Sequence, residues 1–447
     1  MKIDHLSFPV KMLNSLASVL SQWFRTPFFG FVQGHAYLTP RDLGQIRSHV
    51  AKPANVIVTE FEQGFSSIVG GGCAVSFAAG RMGFYALMKI LGIGPGDEVV
   101  VQGATCAVMV NAILRTGATP VYADIDPETF GSSGQHIERC ITPRTQMIVA
   151  QHSFGIPCDI EPIVAMARSR KIFLLEDCAL ALGSTIDSIS VGNFGDAALF
   201  STDHSKPLNT LIGGLVYTRD HLLAKKLQEV QSFSLDLPDS KQKALWQRIL
   251  LERRYCRPSK YGRMGVIDLL AAVRSKFFRR VAPFLSEDFH ATPSSSYPYP
   301  AKLPGFLAAI GLHELARWPQ VTVDRKKVLR GLVAVAINSE MKHFLPKAYL
   351  NRRLDIVPLR FAWSQPDGAL VRDRLYSFAD VTRTWFFQPI IATVEPLESF
   401  GYNSGSCPIS EQIGAGMVNL PCNLSRDDSN HLVSLFRKVV ADKIWEQ

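Results

Sequence analysis

Between Cys73 and Thr218 the chain alternates short apolar runs with segments of helical period, and this alternation constrains its fold more than any other feature. The runs cover residues 73–77, 99–101, 120–124, 147–151, 172–176, 197–201 and 214–218. Between them Phe84, Leu87, Met88 and Leu91 recur at i, i+3, i+4 and i+7. Ile160, Ile163, Val164 and Ala167 repeat that pattern behind Asp159, read as an N-cap. Strands apolar on both faces, alternating with helices, predict an α/β fold with a mostly parallel central sheet. Residues 307–318 read as a further helix. A large domain is expected over 61–320, behind an N-terminal extension at 1–60, with a smaller α+β domain over 321–447.

Composition narrows the class. With 447 residues, 47% hydrophobic and 19% charged, the chain is neither disordered, collagenous nor a coiled coil. Its 8 cysteines form no CxxC pair, so they are expected to be reduced thiols in a cytoplasmic protein. The charge-free stretch 12–24 falls short of the ~20 residues of a spanning helix, and no small-residue cleavage site follows it. It reads as one amphipathic helix, followed by an apolar interface patch at Phe28-Phe29-Gly30-Phe31.

The net charge of +9 is concentrated. Residues 241–280 hold twelve Lys or Arg against Glu252 and Asp268, within a basic insertion at about 221–298. Three readings stand: a solvated insertion, a helix packed on its own protein, or an amphipathic surface that docks peripherally on an anionic membrane. No nucleic-acid motif accompanies the charge, so no nucleic acid is expected as a specific partner.

Three features carry chemistry. Asp177 closes the run Leu174-Leu175-Glu176-Asp177, and ligands of open parallel sheets bind outside the carboxyl ends of strands. The plainer reading makes Asp177 a helix cap. Lys206 follows another strand end, in Phe200-Ser201-Thr202-Asp203-His204-Ser205-Lys206. A desolvated lysine there is an amine nucleophile; the plainer reading is a solvated one. Ala79-Gly80-Arg81-Met82 opens a helix whose N–H groups, with the Arg81 fork, suit a phosphate; otherwise it is a glycine-initiated helix with an exposed Arg. Gly92-Ile93-Gly94-Pro95-Gly96 lies after a helix and before a strand, so it reads as a turn. The 11 histidines show no metal spacing, and no metal site is expected.

A phosphate cradle, a strand-end carboxylate and a lysine together suggest pyridoxal 5′-phosphate (PLP). Lys206 would carry the cofactor and shuttle a proton, while Asp177 would pair with the pyridinium nitrogen.

From about residue 61 onward the chain resembles the DegT/DnrJ/StrS-type sugar-nucleotide aminotransferases, PLP enzymes of fold type I. The resemblance rests on an ordered series: residues 91–99, 117–126, 141–145, 152–159, Glu176-Asp177, 191–196, 200–206, Gly213-Gly214, 307–312, 407–411 and 419–421. It implies that Lys206 and Asp177 are catalytic, that Ser201 bonds the phosphate, and that Gly80, Arg81 and Met82 form the phosphate turn. It further implies a homodimer that moves an amino group, typically from glutamate, to a nucleotide-linked keto sugar for glycan or secondary-metabolite biosynthesis. The chain departs from the pattern at cofactor-contact positions. Leu180 replaces a Gln and Cys106 an aromatic residue; Thr202-Asp203 replaces Phe-His; Leu211-Ile212 replaces Gly-Glu. The usual Asn-Tyr-Arg-Met is missing near Pro300. These changes leave a second expectation beside the aminotransferase: a catalytically altered PLP-fold protein acting as a binding or regulatory subunit, or on a non-sugar substrate.

Overall fold

The computed structural model of the chain describes residues 34–256, 282–375, 385–393 and 395–442, with Ile267, Leu270 and Ala379. The expected helix at 12–24, the patch at 28–31 and most of 257–281 lie outside the described residues.

Seven strands form the main sheet: β1 (Cys73–Phe77), β2 (Glu98–Gln102), β3 (Thr119–Ala123), β4 (Thr145–Gln151), β5 (Phe173–Asp177), β8 (Ala197–Ser201) and β9 (Gly214–Thr218). Their spatial order is β1-β9-β8-β5-β4-β2-β3. The pairs β2–β3, β2–β4, β4–β5 and β5–β8 are parallel, and β9 runs antiparallel to β8 and β1. The expected α/β architecture is thus present. All five residues of β2 are buried, as strands covered on both faces by helices require. A short strand, β6 (Thr185–Ile186), pairs on one side with β7 (Ile189–Ser190) and on the other with β10 (Leu354–Asp355).

The C-terminal part holds the antiparallel pair β11 (Arg360–Ser364) and β12 (Met417–Pro421), with helices Pro408–Gly416 and Arg426–Ala441. Phe361, Trp363 and Phe436 pack there together with Phe130 and Phe154 of the sheet side. The helix expected at 307–318 runs much further, over Gly305–Ile337, with Pro319 inside it. It crosses the position where the two domains were expected to meet.

Part of the N-terminal extension belongs to the main core. Helix Pro40–Val50 starts with a capping box, Thr39 with Asp42, and buries Leu43 and Ile46. Helix Ala54–Val69 lies against Gly305–Ile337, where a Cβ on Gly311 would sit 2.4 Å from the Phe61 ring. Only glycine permits that approach.

In the described part of the basic segment, helix Asp239–Tyr255 buries Lys241, Leu245, Ile249 and Glu252. Lys241 Nζ donates to the carbonyls of Ala282 (2.7 Å) and Phe284 (2.8 Å). Arg248 Nε donates to Glu252 and Arg253 Nε to the Leu38 carbonyl. These cations pack on their own protein.

Candidate active site

The site lies at the carboxyl ends of β5 and β8, where the sequence pattern had placed it. β5 delivers Asp177 to the sheet edge at 4% exposure. Its Oδ1 accepts from Ala179 N–H at 3.0 Å, and Oδ2 has no hydrogen-bond partner among the described residues. The helix Ile160–Arg170 begins behind Asp159 as expected, but the Asp159 side chain makes no cap bond.

Lys206 is presented by a loop that closes on itself. Thr202 N–H donates to the Gly213 carbonyl, Thr210 N–H to the Thr202 carbonyl and His204 N–H to the Leu211 carbonyl. The Thr202 and Thr210 hydroxyls meet at 2.6 Å. Lys206 N–H then bonds the Asp203 carbonyl at 2.9 Å. Leu211 holds φ +75°, a left-handed conformation costly for a residue with a Cβ, at a position where the resembled family has Gly.

The Lys206 ammonium lies 5.1 Å from the centroid of the Trp385 ring, a cation–π distance. Leu180, Arg325, Arg360 and Asn423 line the same cavity as Lys206 and Trp385. The buried indole Nε1 of Trp385 has no hydrogen-bond partner among the described residues.

Charge ties the remaining residues to this point. Burial pushes the Asp177 carboxyl up, with the Ala179 N–H, Lys206 and His152 pulling against it. Burial also raises the Cys106 thiol, which feels Lys206, Arg81 and Asp177. At Asp203 burial is outweighed by His204, Lys206 and Arg81, and the carboxyl falls to about 2.

Under Asp177 lies a buried polar layer. Glu176, fully buried, accepts from the N–H groups of Gly192 (2.8 Å), Phe194 (2.6 Å) and Gly195 (2.8 Å) and from His152 Nε2 (3.2 Å). Burial disfavours charge on His152, but Cys158, Cys178 and Glu176 outweigh it and raise its pKa well above normal. Ligand atoms of His152, Glu176 and Cys178 lie within 4.8 Å of one another, close enough for a metal ion. Both Glu176 oxygens are already engaged by N–H donors.

The helix start expected to hold a phosphate is formed at Gly80. Gly80 begins helix Gly80–Ile90 directly over Gly214, where a Cβ would come 2.4 Å from Gly80 Cα and N. The Arg81 fork, however, is spent inside the protein: Nε donates to Asp288 (2.5 Å) and Nη2 to the Leu285 carbonyl (2.9 Å). Met82 turns into the core, its sulfur accepting from Ala301 N–H at 3.4 Å. The groups of this turn left for an anion are the backbone N–H of Gly80 and Arg81, since Met82 N–H bonds the Ala79 carbonyl; Ser201 ends β8. Cys106 caps helix Ala107–Thr116 and bridges to Ile391.

The pattern along the sequence missed Trp385, Arg325, Arg360 and Asp288. Arg325 stands in Asp324-Arg325-Lys326-Lys327, which reads as a solvated helical turn. Nothing near Asp288 signals that it receives both Arg81 and Arg115.

Residues 55–437 match the DegT/DnrJ/EryC1/StrS aminotransferase family. The chain belongs to that family, whose members are PLP-dependent aminotransferases. It is 37% identical over 191 residues to the spore coat polysaccharide biosynthesis protein SpsC of Bacillus subtilis, covering 43% of this chain and 48% of that one. To the GDP-perosamine synthase of Caulobacter vibrioides it is 36% identical over 179 residues, 40% of this chain and 48% of the relative. The match thus spans about half the length of each. Among solved structures, the protein named 'putative sugar aminotransferase Spr1654' of Streptococcus pneumoniae in its PLP form superposes with a TM-score of 0.66 at 19% identity, covering 94% of this chain and 100% of that one. That likeness confirms fold type I.

The residues present fit PLP. A buried carboxylate with one oxygen uncommitted suits a pyridinium N–H. A lysine amine with no hydrogen bond among the described residues suits the carbonyl carbon. The Gly80–Gly214 approach leaves backbone donors for a phosphate.

Proposed function

We propose that the chain is an aminotransferase that transfers an amino group, from glutamate or a similar amino acid, to a keto sugar, nucleotide-linked as in GDP-perosamine synthase. The observation that carries this reading is the convergence of Lys206, Asp177 and the Gly80 turn on one place at the strand ends, in a chain of this family.

In this reading PLP, once bound, supplies the electron sink for bond breaking next to nitrogen. Asp177 would hold a proton on the ring nitrogen, and the Ala179 N–H at its Oδ1, with the Lys206 charge nearby, favours the ionised carboxylate. Lys206 Nζ would hold PLP at its carbonyl carbon, and the same amine would serve as the base and acid that moves a proton there. The closed loop from Thr202 to Gly213 fixes the lysine stem. Trp385 walls one side of Nζ and excludes water. Gly80 and Arg81 would contribute backbone N–H groups, and Ser201 a hydroxyl, to the phosphate, while Met82, expected there too, has its N–H on the Ala79 carbonyl. Leu180 takes the place of a Gln that contacts the ring and Cys106 that of an aromatic that stacks on it, leaving a smaller and less polar wall. The working form is a homodimer in the cytoplasm. No described helix is long and apolar enough to cross a membrane, and any membrane contact is peripheral, through 241–280.

Purified protein loaded with PLP should show a visible absorption band that glutamate bleaches and that Lys206→Ala abolishes. A band that no amino donor bleaches would favour the binding-subunit reading, and a protein that takes up no PLP would defeat both.

A further inference from the structure

Arg325, midway along the helix Gly305–Ile337, is only 2% exposed. Its Nη1 donates to the carbonyls of Pro358 (2.9 Å) and Leu359 (3.4 Å), and its buried Nε has no acceptor. Among the described residues no carboxylate bonds it. Glu314, the one acid whose charge it feels, is engaged with Arg317 and with Asn209 N–H. Burial takes the guanidinium down to about 10, so it stays charged at neutral pH. A buried charge without a counter-ion is expensive, and a site that keeps one is built for an anion that arrives from outside. Arg325 lines the cavity of Lys206, as does Arg360, 3% exposed, which donates to the Asn419 carbonyl.

We infer that Arg325, with Arg360 beside it, seats a carboxylate of the amino donor and of the keto acid it becomes, an inference that rests on the aminotransferase reading above. A carboxylate is a planar anion whose two oxygens a guanidinium meets bidentately.

The test uses the full-length, PLP-loaded protein and follows bleaching of its absorption band. Glutamate and n-propylamine, which lacks both carboxylates, are titrated against wild type, Arg325→Gln, Arg325→Lys and Arg360→Gln. Arg325→Gln should raise the glutamate half-saturation by about 100-fold, the loss expected for charge-assisted hydrogen bonds. It should leave the propylamine titration unchanged, and Arg325→Lys should recover part of the loss. Independently of any variant, succinate should raise the unfolding temperature of wild type, whereas an equal ionic strength of chloride should not. Equal losses for glutamate and propylamine would show that Arg325 is only a tie between helix and strand. Wild-type bleaching by glutamate with an unaltered Arg325→Gln titration would overturn the inference and leave the aminotransferase standing. No band in wild type would defeat the aminotransferase reading instead, and the succinate shift would still report on Arg325. Should Arg325→Gln not fold, Arg325→Lys and the succinate shift decide.

Discussion

Replacing Glu176 by Gln tests how the protein holds the strand end that carries Asp177. Oε1 of Glu176 accepts from Phe194 N–H and Gly195 N–H, and Oε2 from Gly192 N–H and the His152 ring. His152 Nδ1 accepts from Cys158 N–H at 3.0 Å, so its proton sits on Nε2 and faces Glu176. All four groups are donors, and a glutamine has one oxygen to offer them. If that oxygen keeps Phe194 and Gly195, the amide NH₂ points at two further donors. Two bonds to a charged acceptor are lost, each worth about 1.5–3 kcal/mol, for a total of about 3–6 kcal/mol. Whole domains are stable by only about 5–15 kcal/mol, so the effect is large for a change of one atom. Urea unfolding of the cofactor-free chain, followed by tryptophan fluorescence, reads it as a lower midpoint at unchanged slope. A loss under about 1 kcal/mol would show that the turn from Gly192 to Gly195 needs no anion, and the account of Glu176 would fall.

Three further outcomes are expected. Gly214→Ala places a methyl against the Gly80 backbone, an overpacking worth about 1–3 kcal/mol or more, and should weaken PLP uptake in equilibrium dialysis; undiminished uptake would refute the Gly80 cradle. Asp288→Asn leaves Arg81 and Arg115 without their buried partner and should cost about 3–5 kcal/mol in denaturant unfolding; a neutral result would mean water reaches that pair. The buried His35–Glu252 contact, 2.8 Å, should give a pH signature. Burial opposes charge on His35 but Glu252 outweighs it and raises the imidazole, while burial at Glu252 is outweighed by His35 and Arg248, taking that carboxyl to about 2. The His35 contribution is complete below its unfolded value of about 6.5 and fades as pH rises through the higher folded value; that of Glu252 is complete above about 4.3 and fades as pH falls toward 2. His35→Asn should therefore cost more stability near pH ~5.5 than near pH ~9, and a pH-independent loss would contradict the pairing.

The parts of the site that were legible beforehand are those whose evidence is local. Asp177 and Lys206 each sit a few residues from an apolar strand, so strand periodicity alone carries them to the sheet edge. Gly80 and Gly214 belong to short motifs whose spacing survives in a linear pattern. Boundaries were less secure. The helix expected over 307–318 stops short of Pro319, a residue that disfavours a helix interior. Tertiary packing carries it through Pro319 to Ile337, with Val328, Leu329, Leu332 and Ala336 buried in the second core.

Partners far apart in sequence were not legible, and they change what individual residues do. Arg81 looked like a phosphate fork because its local setting is a helix start. Asp288, 207 residues away, takes that fork, and the phosphate turn is left with backbone donors. Arg325 shows the converse. Its neighbours in sequence are charged and suggest a wet helical face, whereas in the fold it is buried beside Lys206 with only two carbonyls to bond. One arginine expected to meet an anion is neutralised internally, and another, passed over among charged neighbours in sequence, is left without a carboxylate partner among the described residues. Anion recognition near Lys206 therefore depends on which guanidinium the fold leaves without a carboxylate, a property of long-range packing that no window of sequence around either residue contains.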